Sequence, residues 1–312
     1  MPTTTPLGPG GEFDLIRELL ARWGSRARGI GDDAAVIAVP AGERLVVSTD
    51  SSVEAVHFRR GWLTPREIGY RATAAALSDL AAMAATPLGI LVALALPTAW
   101  RAEVGEIADG IGDAVDLCGV PIVGGDLTAA TDLAITVTVM GTAIAPLARS
   151  GARPGDRIWV TGTLGGPGRA VAALSDNAAP DAESRARFAR PVPRLREARW
   201  LAARGATAAI DISDGLIADA GHLASASAVR LVIELDRLPH VAATDVIAAA
   251  GSGEEYELLV TLPPSAAVHD FEQAFRVPFT EIGRVTAADT PGVEATYRGE
   301  RVAPPRGYDH FS

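Results

Sequence analysis

RLVVSTD, residues 44–50, is an apolar, β-branched run that closes on a carboxylate, Asp50. Such a run bounded by turn formers reads as a strand, and an acid at its end reads as a ligand-facing position. The same signature recurs in PIVGGD (121–126), closing on Asp126, and in AAIDISD (208–214), which holds Asp211 and Asp214. Further strand-like runs lie at 89–96, 133–144, 157–161, 230–235 and 257–262. Between them, residues 65–85 carry apolar positions at helical spacing and begin at Pro65, a residue suited to a first helical turn. Residues 101–117 and 194–204 read as helices with one polar face. Strands interleaved with helices predict a mixed α/β (α+β) protein.

The chain has 312 residues, which as a prior means two domains of about 150 residues each. SGARPGDRI (150–158), rich in Gly, Pro and charge, separates two halves of similar length. The boundary is expected near residue 148, giving domains 1–148 and 149–312. DNAAPDAESRARFARPVP (176–193) is polar and proline-bounded, and reads as a mobile surface excursion.

All 28 basic residues are Arg; the sequence contains no Lys. That excludes Schiff-base chemistry, a P-loop lysine and a kinase strand lysine. The net charge of −10 argues against a nucleic-acid surface. A single cysteine, Cys118, excludes an intramolecular disulfide and a cysteine-cluster metal site, and its apolar setting reads as core rather than nucleophile. The apolar stretch 80–97 is interrupted by Pro87 and is too short to span a bilayer. MPTTTPLGPGGEF lacks the pattern of a signal peptide, so a soluble cytoplasmic protein is expected.

Acids gather where runs end. Besides Asp50, Asp126, Asp211 and Asp214, Asp32 and Asp33 follow the glycine turn of GIGDDAAVI, Asp79 lies in ALSDLAAM, and Glu254 and Glu255 lie in GSGEEYELL. Taken singly, Ser78-Asp79 and Ser213-Asp214 could simply start helices, and Asp50 could form an Asx turn. Gathered in one cleft they would repel strongly, and hard divalent cations with oxygen ligands relieve such repulsion; Mg²⁺ is the usual choice beside phosphates. Gly162, Gly165, Gly166 and Gly168 in GTLGGPGRA could offer amides to phosphate or could be turns, and neither familiar nucleotide-loop pattern fits them.

Eight motifs in order, GIGDDAAV, STDSSVEAVHF, LSDLAAMAATP, VGGDLT, ARSGARPGD, VTGTLGG, IDISDGLIADAGH and GSGEEYELL, resemble those of the thiamine-monophosphate kinases. That family shares a superfamily with aminoimidazole ribonucleotide synthetase, selenophosphate synthetase and a hydrogenase maturation factor. The resemblance runs from GEFDLI to the terminal GYDHF. It implies the two-domain aminoimidazole ribonucleotide synthetase-like fold, with an N-terminal domain that binds ATP and Mg²⁺ and dimerises through its sheet, and a C-terminal α/β domain. Asp33, Asp50, Asp79, Asp126, Asp211 and Asp214 match magnesium ligands, several ions being held, and Ser48 and Thr49 add oxygens. Asp33, Asp79, Asp126 and Asp211 are the residues implied to carry catalysis through those ions. Gly125, Asp126, Arg149 and Ser213 match ATP-binding positions, and His57, Glu254 and Tyr308 match contacts to thiamine monophosphate.

The sequence departs from the family pattern at Glu255, where Asp is usual, at Ala76, where Asn is usual, and in Gly125-Asp126-Leu127-Thr128. The implied reaction is ATP-dependent phosphorylation of thiamine monophosphate to the diphosphate. The phosphate acceptor has a second pKa of about 6 and needs no general base, only neutralisation of charge as two polyanions meet. The alternatives are another superfamily enzyme, such as one resembling aminoimidazole ribonucleotide synthetase, or a non-catalytic regulator that binds Mg-nucleotide. His222 reads as structural, and Asp219 as either a further metal-side group or a solvent-facing acid.

Overall fold

The structure, a computed structural model, describes residues 10–242, 244–303 and 307. The chain divides into two compact units, Met1–Leu80 with Ala85–Ala145, and Ala81–Ala84 with Pro146–Ser312.

The first unit is built on a four-stranded sheet of β1 (Arg44–Val53), β2 (Thr86–Leu96), β3 (Ile122–Ala129) and β4 (Ala134–Ala143), in the order β1-β4-β2-β3. Only β2 and β3 run parallel. Its inner face alternates as a half-buried sheet must, with Ile90, Val92 and Leu94 on β2 beside Ile135, Val137 and Val139 on β4. Three helices accompany the sheet: α1 (Gly11–Trp23), α2 (Pro65–Ala82) and α3 (Val104–Cys118).

The start of α2 is written in its sequence. Thr64 and Glu67 form a reciprocal capping box, the Thr64 amide donating to Glu67 (2.8 Å) and the Glu67 amide to the Thr64 hydroxyl (3.3 Å), with Pro65 at the first helical position. Helices α2 and α3 approach closely because neither carries a side chain at the crossing. A Cβ on Gly69 would lie 2.0 Å from the Ile107 carbonyl oxygen, and one on Gly110 1.8 Å from that of Arg66. On the outer side of α3, Asp109, Asp113 and Asp116 receive Arg22, Arg66 and Arg26.

The second unit holds β5 (Arg157–Thr161), α4 (Gly166–Ser175), α5 (Ala182–Ala189), α6 (Leu195–Ala202), β6 (Ala208–Asp211), α7 (Leu216–Ser227) and β7 (Arg230–Glu234). It continues through α8 (Val246–Ala250), β8 (Leu258–Leu262), α9 (Phe271–Phe275), β9 (Phe279–Thr286), β10 (Gly292–Tyr297) and β11 (Glu300–Val302). Its seven strands run β11-β10-β7-β9-β5-β8-β6, and only the pair β10–β7 is parallel. Ile158, Val160, Ile210, Leu231, Ile233 and Leu259 of the sheet bury against Leu216, Ala220 and Leu223 of α7.

Two expectations need correction. The polar stretch 176–193 is not a loose excursion, because it contains α5. Asp181 caps that helix by accepting the Ser184 amide (3.0 Å), and Ser184, Phe188 and Ala189 are buried on its inner side. Asp50 and Asp126 do not close their strands. β1 continues through Val53 and β3 through Ala129, held by ladders to β4 and β2, so the polar residues after each acid are strand as well.

Candidate active site

In the first unit, Asp33 is exposed and follows Gly29 and Gly31, whose φ angles of 67° and 128° favour glycine. Ser48 and Asp50 are half-buried on β1, while Thr49 between them is exposed. The Ser48 hydroxyl donates to the Asp79 carboxylate (2.5 Å), joining β1 to the last turn of α2. Asp79 therefore ends a helix instead of starting one. The Thr49 hydroxyl pairs with that of Thr138 (3.0 Å), and the Ser51 hydroxyl with that of Thr136 (2.8 Å).

Register relates the two acid-bearing strands. Asp50 pairs with Val137, Val137 with Val92, and Val92 with Gly125, so Asp50 and Gly125 share one row across the sheet. Asp126, exposed, lies on the next row, opposite Ala93. Position 125 admits only glycine, because a Cβ there would sit 1.9 Å from the Val92 carbonyl oxygen.

His57 lies in the tight turn after β1. Its Nδ1 accepts the Val53 amide (3.1 Å), which fixes the ring plane. The turn is braced by Trp100, whose indole N–H donates to Glu54 (2.8 Å) and whose ring lies 4.2 Å from the Arg60 guanidinium.

The second unit gathers Arg149, Asp211, Ser213, Asp214 and Glu254. Arg149, exposed, begins a short turn that packs against β6 and α7, the elements flanking the Ile212–Gly215 bend. Asp211 is buried at the end of β6, and Ser213 and Asp214 are half-buried. The organiser of this bend is Asp219 on α7, 2% exposed, whose Oδ2 accepts the amides of Ser213 (3.0 Å), Asp214 (3.1 Å) and Gly215 (3.2 Å). Burial and then the neighbouring Asp211 charge push its carboxyl up to about 7, against the pull of the amides. Asp219 is thus neither solvent-facing nor open to a ligand on that oxygen.

Glu254 follows directly. Its amide donates to the Ser213 carbonyl (2.7 Å), and the Tyr256 amide to that of Ile212 (2.8 Å). Both residues adopt left-handed backbone, with φ of 65° and 53°. Non-glycine residues persist there only when their surroundings over-determine them, at a cost of about 1–3 kcal/mol each. The Tyr256 hydroxyl donates to Glu254 (2.9 Å), aiming that carboxylate.

Three of the four glycine amides singled out in the run 162–168 are already taken by the protein itself. Gly162 N–H donates to the Pro278 carbonyl (2.8 Å), Gly165 N–H to Glu255 (2.5 Å) and Gly168 N–H to the Ser252 hydroxyl (3.0 Å). These glycines instead make room for side chains. A Cβ on Gly162 would meet the Glu257 carboxylate at 2.1 Å, and one on Gly166 the Arg187 side chain at 2.6 Å.

Cys118 stays a thiol, its pKa pushed up to about 12 by burial. Tyr308 lies outside the described residues. Among the described residues no three His, Cys, Asp or Glu side chains are gathered tightly enough to hold a metal by themselves. Sequence reasoning missed Asp219 as the anchor of the bend and the half-buried Arg187 and Arg194 that pair with Glu255 and Glu257. The one available signal was an acid in the first turn of a helix that follows a Ser-Asp-Gly bend.

Two domain families match this chain in order: AIR synthase related protein, N-terminal domain, over residues 31–144, and AIR synthase related protein, C-terminal domain, over residues 153–296. Together with the two mixed α/β units they define a two-domain AIR synthase-related protein. The thiamine-monophosphate kinase of Escherichia coli O157:H7 is 38% identical over 97% of this chain and 98% of its own length. The crystal structure of thiamine-monophosphate kinase from Stenotrophomonas maltophilia K279a superposes with a TM-score of 0.82 at 34% identity, covering 94% of this chain and 98% of that one. AaThiL complexed with AMPPCP and TMP gives a TM-score of 0.76 at 30% identity over 96% and 97% of the two chains. The chain belongs to the thiamine-monophosphate kinase family.

Proposed function

We propose that this chain transfers the γ-phosphoryl group of ATP to the phosphate of thiamine monophosphate, releasing ADP and thiamine diphosphate. The observation that carries this reading is the family likeness, which spans both units and includes a relative holding an ATP analogue together with TMP. Asp33, Ser48, Thr49, Asp50, Asp79 and Asp126 of the first unit and Asp211 and Asp214 of the second are the proposed magnesium-binding set. Gly125, Asp126, Arg149 and Ser213 are assigned to ATP, and His57, Glu254 and Tyr308 to thiamine monophosphate.

The donor set fits Mg²⁺. Every proposed ligand is a hard oxygen, and Mg²⁺ is ordinarily held by one or two carboxylates with water and phosphate filling its octahedron, so a three-acid cage is not required. When bound, the ions neutralise phosphate charge and stabilise the charge that develops on transfer. The protein's own groups position and orient. A phosphate oxygen of the acceptor forms a bond to the γ-phosphorus as the bond from that phosphorus to the β-bridging oxygen breaks, and the electron pair leaves with ADP. The acceptor, already largely a dianion at neutral pH, requires no deprotonation. His57 then serves binding rather than base catalysis. The cationic thiazolium suits Glu254, whose carboxylate Tyr256 aims.

The first unit is further proposed to form a homodimer through its sheet, a reading supported by Leu45 and Val47, half-exposed on the edge strand β1. A cytoplasmic location and domains meeting near residue 148 belong to the same reading. No helix among the described residues is long and apolar enough to cross a membrane. Incubating the protein with ATP, Mg²⁺ and thiamine monophosphate is expected to yield ADP and thiamine diphosphate in equal amounts. ADP without thiamine diphosphate, or neither product, would contradict the assignment.

A further inference from the structure

Glu255 is buried to 4% exposure, and its side-chain hydrogen bonds go to Gly165, Ser252 and Arg187, none of them assigned to substrate, ATP or metal. Its Oε1 accepts the Gly165 amide (2.5 Å) and the Ser252 hydroxyl (2.6 Å), and its Oε2 the Arg187 guanidinium (3.3 Å). Arg187 also donates to the Thr163 carbonyl and lies 3.8 Å from Glu257. Glu257 in turn takes Arg194 in a two-pronged bond (2.7 and 2.5 Å) and the Thr161 hydroxyl (2.7 Å). Two buried carboxylates and two arginines therefore tie α5 and the approach to α6 to the glycine run, and both carboxylates flank Tyr256.

Glu255 sits between the two left-handed residues Glu254 and Tyr256. Backbone held in that region on both sides of one side chain needs an anchor, and Glu255, fixed by three donors, is placed to be it. We propose that Glu255, locked by Arg187 and Ser252, is a positioning residue that holds Glu254 in the orientation used to bind the thiamine monophosphate. This rests on the function proposed above. Ser213, assigned to ATP, has its own anchor in Asp219, so the device acts on the acceptor side.

The test compares wild type with Glu255→Gln, which keeps size but removes charge, and with Ser252→Ala, a milder change should the first variant not fold. Hydrogen exchange is followed over residues 253–257 and over 213–215, and KM is measured for each substrate. Glu255→Gln is expected to speed exchange at 253–257 by at least about tenfold while 213–215 stay protected. It is expected to raise KM for thiamine monophosphate at least about fivefold, with KM for ATP changed by less than about twofold. Ser252→Ala is expected to shift both readouts in the same direction by less. Unchanged exchange at 253–257, exchange rising equally across the second unit, or equal changes in both KM values would overturn the proposal. Absence of activity in wild type would overturn the function instead, and the exchange pattern would still decide whether Glu255 anchors this segment.

Discussion

At Asp219 a single carboxylate oxygen takes up three consecutive backbone amides, and the bend carrying Ser213 and Asp214 hangs from it. Replacing it by Ala orphans those donors inside the protein. Asp219→Ala is therefore expected to cost about 2–4 kcal/mol of stability, read as a lowered unfolding midpoint in denaturant. An unchanged midpoint would mean that the bend is held elsewhere. Asp126 is the opposite case, exposed on β3 and assigned to metal and ATP. Asp126→Asn is expected to lower turnover at least about tenfold, or ~1.4 kcal/mol, with an unaltered midpoint. Near-normal turnover would remove Asp126 from the site. The difference explains what was legible in the sequence. Asp126 takes its proposed role from a motif that resembles the family's, whereas Asp219 bonds to backbone amides, which leave no mark on residue identity.

Among the elements, the glycine run 162–168 changed meaning most. Its composition was equally compatible with a phosphate loop and with turns, and only the buried partners decide between them. Gly162 has φ 67° and faces the Glu257 carboxylate. Gly162→Ala is thus expected to destabilise the second unit by about 2 kcal/mol or more, lowering its thermal midpoint by several degrees. A wild-type midpoint would show that Glu257 can yield. Helix α5 was hidden for a related reason. Its surface is polar and arginine-rich, and its stability comes from the Asp181 cap, from Phe188 and from the ion pair of Arg187 with Glu255, a residue far along the chain. The strands at 157–161 and 230–234 were readable because each carries three consecutive apolar residues, Ile158 to Val160 and Leu231 to Ile233, that are buried or half-buried. β6 was readable only as the short run AAID that closes on Asp211, and the later strands β9 to β11 gave no comparable run.

For the whole molecule, the proposed function gives the lysine-free composition a chemical reading: Mg²⁺ held by the proposed oxygen ligands would supply the cationic charge for phosphate chemistry, with Arg149 as the side-chain cation proposed to meet ATP. The buried Glu255 also gives the fold a pH signature. Burial pushes its carboxyl up to about 7, above the ordinary carboxylate range. Between the ordinary value and about 7 the folded state holds a proton that the unfolded chain has released, so this contribution is complete at low pH and is lost as pH rises through 7. Stability measured in EDTA is expected to show this fall between pH 5 and 8, and Glu255→Gln to flatten it. A slope identical in the variant would assign it to other groups.

Phosphoryl transfer between two phosphates is decided by the path of the γ-phosphorus. With ATP labelled at that phosphorus, Mg²⁺ and thiamine monophosphate, the label is predicted to appear in the terminal phosphate of thiamine diphosphate, one for each ADP formed. Label recovered only as free phosphate, or remaining in ATP, would contradict it.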